Sequence, residues 1–216
     1  MLILRSIFVL ILLAGCVQAG ATEFRGNARV VDGDTLSLGG KNLRIFGIDA
    51  PELAQRCLRN GVDWDCGAAA RQMLARRIAA AEVICDVVTA ADRHGRPVVS
   101  CTAQGEDIGQ FMVRNGFAMA YVRYSDRYLA DEGAARAEKT GIWAGVIVAP
   151  ELYRQSGGAV GPEGCAIKGN IGTSGRIYHV PGQRDYERAR IDQNSGEAWF
   201  CSEADAKSAG FRAAKR

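Results

Sequence analysis

Apolar positions from residue 29 onward fall into short runs whose period changes several times. Two apolar strands are read here, residues 29–31 running into 36–38, and 43–48, with Gly39 and Gly40 as the turn between them. Residues 51–66 are polar and irregular around Asn60 and Gly61, and read as a surface loop. Residues 67–80 are rich in Ala and Arg, with Met73, Leu74 and Ile78 at helical spacing, which predicts an amphipathic helix. EVICDVVT at 82–89 and RPVVSCT at 96–102 read as strands flanking a polar turn at 91–95. A helix follows at 107–115, with Asp107 as N-cap and Gly116 as its end, and then a brief apolar segment at 117–122. A longer helix is expected at 125–139, capped by Ser125 or Asp126 and closed near Lys139 and Gly141, with Trp143 turned back into the core. No βαβ repeat occurs, so the pattern predicts a small α+β domain, mainly β, or a barrel with packed helices.

The pattern lapses at 151–164, where the stretch QSGGAVGPEG carries four glycines and a proline and reads as a linker. Beyond it, residues 165–216 show a strand at 177–180 and a helix at 203–209, with Ser202 as cap and Gly210 as stop. About fifty residues make a thin core, which needs a staple or docking onto the main domain. The expected organisation is a signal segment at 1–22, a main domain at 24–150, a linker at 151–164 and a small C-terminal α/β module at 165–216.

The chain has 216 residues, 48% hydrophobic and 24% charged, which is globular composition. Its start differs. Arg5 is the only charge before Glu23, and residues 7–13 form an apolar run of signal-peptide length, which predicts export. Leu13, Ala14, Gly15 and Cys16 form a lipobox pattern, in which Cys16 would be lipidated and anchor the chain to the bacterial envelope. Val17, Gln18 and Ala19 also suit ordinary signal peptidase, giving a periplasmic or extracellular product; both readings stand.

Export changes what the cysteines mean. Apart from Cys16 there are six, an even set for an oxidising compartment. Fifteen pairings are open to six cysteines. Local structure favours Cys57 with Cys66 across one loop, Cys85 with Cys101 on consecutive strands, and Cys165 with Cys201 around the tail. No CxxC pair supports a zinc site in the main domain.

The formal net charge is +3, and one unit less once the segment carrying Arg5 is removed. A general basic surface for nucleic acid would be larger, so attraction to phosphate must be local to a site. The candidate is VVDGDTLSLGGKNLRIFGIDAPE at 30–52, where Asp34, Arg44, Asp49 and Glu52 sit at strand ends that need no charge. Carboxylates suit a hard cation, a further carboxylate can take a proton from water, and arginine forks suit phosphate oxygens. That set points to phosphodiester chemistry.

DGDT, LRIFGIDAPE, DRHGRP and AYV, in this order and spacing over about residues 25–145, resemble the thermonuclease (staphylococcal nuclease-like) family. The resemblance implies a five-stranded OB-fold barrel with three packed helices, and a monomeric calcium-dependent endonuclease acting on DNA and RNA. It implies Asp34, Asp49 and the main-chain carbonyl of Ala50 as ligands of one Ca2+ ion. Glu52 would be the general base, Arg44 and Arg96 would bind the scissile phosphate and stabilise the transition state, and Tyr121 would line the nucleotide pocket. Ala50 stands where the family has threonine, His94 where it has an aromatic residue, and Arg123 where the best-known member has a second pocket tyrosine. Arg123 then either takes over a phosphate contact or leaves base stacking weaker.

CAIKGNI, IYHVPG, YERARID and WFCSEADAKSAGFR resemble a short C-terminal module, the sunset domain, of exported bacterial thermonuclease-like proteins. Related modules often carry a further cysteine where this chain has Gln183. His179 with Cys165 and Cys201 therefore supplies at most three soft ligands for zinc, the alternative to the disulfide. Such proteins include ones associated with succinoglycan biosynthesis. The rivals to the nuclease are thus a non-catalytic OB binding module and an envelope accessory protein in exopolysaccharide production.

Overall fold

The computed structural model describes residues 23–158, 160–161 and 164–215; the expected signal segment and Cys16 lie outside them. The main domain runs β1 (Glu23–Gly26), β2 (Arg29–Val30), β3 (Thr35–Leu38), β4 (Lys41–Ile45), β5 (Ile48–Asp49), β6 (Cys57–Arg59), β7 (Val62–Trp64), α1 (Cys66–Ile78), β8 (Val83–Thr89), β9 (Val98–Ala103), β10 (Glu106–Asp107), α2 (Ile108–Arg114), β11 (Met119–Ala120) and α3 (Leu129–Ala137). There follow α4 (Pro150–Gln155), β12 (Ile167–Gly172), β13 (Gly175–His179), β14 (Ala198–Phe200), α5 (Glu203–Ser208) and β15 (Arg212–Ala213).

The principal sheet has the order β1-β8-β9-β4-β3-β2, with β10 also on β9. Its β4–β9 pair is parallel, and all its other pairs are antiparallel. Among the described residues no ladder joins β1 to β2, so the architecture is mixed α/β with open sheets, and the closed five-stranded barrel is not recorded in the pairing. Leu36, Leu43, Ile45, Val83 and Val99 of the sheet pack with Leu74 of α1 and with Ile108, Met112 and Val113 of α2 in one core. The alternation of β9, buried at Val99, Cys101 and Ala103, is what a strand with one covered face requires.

Local signals decide several elements. Asp107 accepts from the Gln110 amide at 2.9 Å and caps α2, and Ser202 accepts from the Asp205 amide at 3.1 Å and caps α5. The three disulfides are Cys57–Cys66, Cys85–Cys101 and Cys165–Cys201. The last consumes two of the three zinc ligands considered for the C-terminal module, and the His179 ring nitrogen Nε2 is instead 3.1 Å from Asn170 Oδ1. That zinc reading falls.

Four sequence expectations are corrected. The strand at 43–48 is broken at Gly47, whose φ of 74° suits glycine and whose carbonyl accepts from the Tyr121 amide at 2.8 Å. β5 therefore leaves the main sheet and pairs with β11. The loop at 51–66 contains the β6–β7 hairpin, because Asn60 and Gly61 both take positive φ in a tight two-residue turn. The helix at 125–139 starts only at Leu129: Ser125 Oγ accepts from the Arg127 amide, and the Tyr128 hydroxyl is tied to Asp107 Oδ1 at 2.9 Å, which holds the chain in a turn. The expected linker at 151–164 begins as α4, where Pro150 opens the helix, Glu151 sits in the first turn and Arg154 in the last.

Candidate active site

The β3–β4 hairpin places Thr35 opposite Arg44, and the parallel β4–β9 pairing places Arg44 beside Val98, two residues after Arg96. The break at Gly47 turns the chain so that Asp49 returns to Arg44. Arg44 Nη2 donates to the Ile48 carbonyl at 2.9 Å and to Asp49 Oδ1 at 3.0 Å, and Nη1 pairs with Asp34. Asp34 is buried, and its oxygens also accept from Thr35 Oγ1 at 3.1 Å and from the Ala50 amide at 2.8 Å. Arg44, Asp34, Asp49 and Ala50 are thus one hydrogen-bonded unit. Burial pushes the Arg44 pKa below its ordinary value, Asp49 opposes this, and the neighbouring Arg96 and Arg154 add to the lowering.

Glu52 stands just outside that unit, and its side chain is about one-third exposed. Its backbone is held tightly. The Glu52 amide donates to Gln55 Oε1 at 3.1 Å, while the buried Gln55 side chain donates onward to the Val148 carbonyl at 2.8 Å. Gly67, in the first turn of α1, lies so close that any Cβ there would overlap the Glu52 carbonyl oxygen.

Arg96 comes from the turn before β9. Its Nε and Nη2 donate to Asp92 Oδ2 at 2.9 and 2.8 Å, and Nη1 reaches Thr35 Oγ1 at 3.4 Å. Burial alone would raise the Asp92 pKa, but the Arg96 amide and side chain and the His94 amide lower it below the usual range, keeping the carboxylate ionised. A cavity of about 700 Å³ is lined by Asp34, Arg44, Glu52, Arg96 and Tyr121, together with Arg154. Of the sequence-derived candidates, Asp34 just before β3, Arg44 of β4, Glu52, Arg96 before β9, and Tyr121 and Arg123 after β11 line this cavity, while Asp49 and Ala50 do not line it but are bonded to Arg44 and Asp34.

Arg123 also lines this cavity. It is exposed and paired with Glu151 of α4 at 2.9 Å, so its present partner is a carboxylate of the chain itself. Tyr124 is the aromatic neighbour that the sequence reading missed; its ring meets Tyr121 edge-on with centroids 5.0 Å apart, and it lines the same cavity. The other missed residue is Arg154. Its Nη1 and Nη2 fork onto Asp49 Oδ1 and Oδ2 at 3.0 and 3.1 Å, and Nη1 also donates to Glu52 Oε1 at 2.7 Å. Burial would lower the Arg154 pKa, but these bonds to Asp49 and Glu52 raise it overall. The sequence APELYRQ carried a legible helix start; nothing in it told where Arg154 docks.

The profile of the family described as "Staphylococcal nuclease homologue" matches residues 42–145, and that described as "ArfC" matches residues 149–213. "Succinoglycan biosynthesis protein ExoI" of Rhizobium meliloti (strain 1021) is 33% identical over 132 residues, covering 58% of this chain and 68% of that protein. An "Uncharacterized endonuclease" of Escherichia coli O157:H7 is 31% identical over 123 residues, covering 54% of this chain and 74% of its own. The chain belongs to the staphylococcal nuclease homologue family.

Membership of the staphylococcal nuclease homologues implies an OB-type fold for the main domain, which here is mixed α/β with open sheets, and C-terminal to it lies a second domain matched by ArfC, in the region whose motifs resemble the sunset module. The family generally uses Ca2+. Among the described residues no three His, Cys, Asp or Glu side chains gather into a metal cage. The two buried carboxylates, Asp34 and Asp49, both held on Arg44, nevertheless fit a hard cation that keeps several waters. They do not fit zinc, which takes His and Cys nitrogen and sulfur in closed sites. In this homologue the charge of Asp34 and Asp49 is met by Arg44 and Arg154.

Proposed function

We propose that this chain is an exported, calcium-dependent nuclease that hydrolyses phosphodiester bonds of DNA and RNA. The observation that carries the reading is the convergence of Arg44, Arg96 and Glu52 on one cavity, backed by buried Asp34 and Asp49. Asp34, Asp49 and the Ala50 carbonyl would hold one calcium ion, which supplies charge neutralisation for a bound phosphate and acidifies water. Glu52, the partly exposed carboxylate, takes the proton of the attacking water. Arg44 and Arg96 grip the phosphate from two strands and meet the charge that grows on its oxygens. Tyr121 and Tyr124 offer an aromatic face to a base next to the scissile phosphate.

Three disulfides support an extracellular or periplasmic setting, and among the described residues no helix is long and apolar enough to cross a membrane. Our domain reading is a nuclease domain at 24–150 and a C-terminal module at 165–216, with α4 between them, in a monomer.

Cleavage of plasmid DNA and of RNA with calcium, and with a chelator, tests this reading. We expect cleavage that needs calcium and is lost in Glu52→Ala and Arg96→Ala; intact substrate under every condition overturns it. The relative named for succinoglycan biosynthesis favours a second reading, an accessory role in exopolysaccharide production. A deletion strain with normal nuclease secretion and altered polysaccharide would favour that role instead.

A further inference from the structure

Helix α4 lies over the site with two charged side chains three residues apart. Glu151 binds Arg123 at 2.9 Å, and Arg154 forks onto both oxygens of Asp49 and bridges to Glu52. The approach is anchored at both sides. Before the helix, the Val148 carbonyl accepts from buried Gln55, and within it the Tyr153 hydroxyl donates to the Ala54 carbonyl at 3.4 Å. A cation and an anion carried on one short helix thus meet, respectively, the carboxylates and a cavity-lining arginine of the site.

We infer that α4 is a built-in occupant of the nuclease site, in which Arg154 competes with a divalent cation for Asp49 and Glu52 and so sets the affinity of the site for that cation. The inference rests on the reading of Asp49 as a metal ligand. The physical case is direct. Lone pairs of Asp49 that bind a guanidinium are withdrawn from a metal, and a fixed positive charge beside them repels a second cation. The partly buried setting limits screening by salt. Because α4 belongs to the same chain, its effective concentration is high and its ordering is already accomplished by the anchors on either side. The same contact holds Glu52 as a hydrogen-bond acceptor of Arg154, so release of α4 also returns that carboxylate to water. Glu151 meanwhile pairs with one nitrogen of the exposed Arg123, and release of the helix frees that nitrogen for a phosphate.

Calorimetric titration of the full chain with calcium chloride, without substrate, tests this directly. Arg154→Ala is expected to tighten calcium binding by about tenfold or more, equivalent to about 1.4 kcal/mol. Glu151→Gln, which touches none of the site carboxylates, loosens the helix and is expected to tighten binding by a smaller factor; it decides the matter if Arg154→Ala does not fold. Unchanged or weaker binding in the folded variants, with normal binding by the unaltered chain, overturns the role of Arg154 and leaves the nuclease reading standing. No binding by any of the three proteins overturns both.

Discussion

The Ala50 main-chain amide donates to Asp34 Oδ2 at 2.8 Å, joining the residue just before β3 to the one that follows β5. This bond fixes the Asp49–Ala50 peptide against the Asp34 carboxylate, one peptide before the Ala50 carbonyl. The contact between the two chain segments uses the main chain at position 50 and needs no side-chain hydroxyl there.

Removing Asp34 should cost both stability and activity. Asp34 and Arg44 are nearly buried and paired, and taking away one partner of such a pair costs about 3–5 kcal/mol because the other charge is left uncompensated. Asp34→Ala should show this loss in urea unfolding. Asp34→Asn keeps an acceptor for the Ala50 amide, so it should lose less stability while still losing calcium-dependent cleavage.

Arg96 is presented differently, on a turn and held by Asp92. Arg96→Ala should lower kcat by about 10²–10³, the usual cost of removing one preorganised donor, with little change in unfolding midpoint. Asp92→Asn leaves the guanidinium in place and weakens its aim. Steady-state cleavage should place this variant between Arg96→Ala and the unaltered chain, with most of its loss restored by excess substrate if Asp92 acts on binding rather than on the chemical step.

Cys85 and Cys101 face each other in the β8–β9 ladder, 16 residues apart in sequence and fully within the core. Closing a loop of this size stabilises by about 3 kcal/mol in the chain-entropy account. The double variant Cys85→Ala with Cys101→Ala should lower the unfolding free energy by that order, measured in denaturant. No loss would mean that the core alone holds the hairpin.

The C-terminal module should weaken in mild acid. Burial holds the His179 pKa below its ordinary 6.5; Asp185 opposes this and Lys168 adds to it. A depressed histidine pKa means that the unfolded chain takes the proton more readily, so stability falls as pH falls. The contribution is fully present above about pH 6.5 and is lost as pH drops from there through the folded-state value. Melting of the module followed across that window should show the decline, and His179→Gln should flatten it.

Much of the molecule was legible because its determinants are local. The Asp107 and Ser202 caps bond to amides three residues on, and the β8–β9 pair is announced by two apolar runs around a short polar turn. Asp34, Arg44, Asp49 and Glu52 lie within one short stretch, so their clustering was visible as charge placed where strands need none. The pattern did not show that 43–48 would break. A single glycine accepted the bend because Tyr121, far along the chain, supplies the amide for its carbonyl.

By itself the sequence determined the charged set and most elements, because each depends on residue type and near-neighbour spacing, and its motifs carried the family resemblance; the cysteine pairing it favoured but left open. Only the tertiary structure decided which charges meet. Arg154 lies 105 residues from Asp49 and 102 from Glu52, in a stretch whose composition predicts a linker, yet its guanidinium forks onto the first and bridges to the second. Coulomb attraction and hydrogen bonding act on distance in space, and that distance is set by how the sheet, α1 and α4 pack, not by position along the chain.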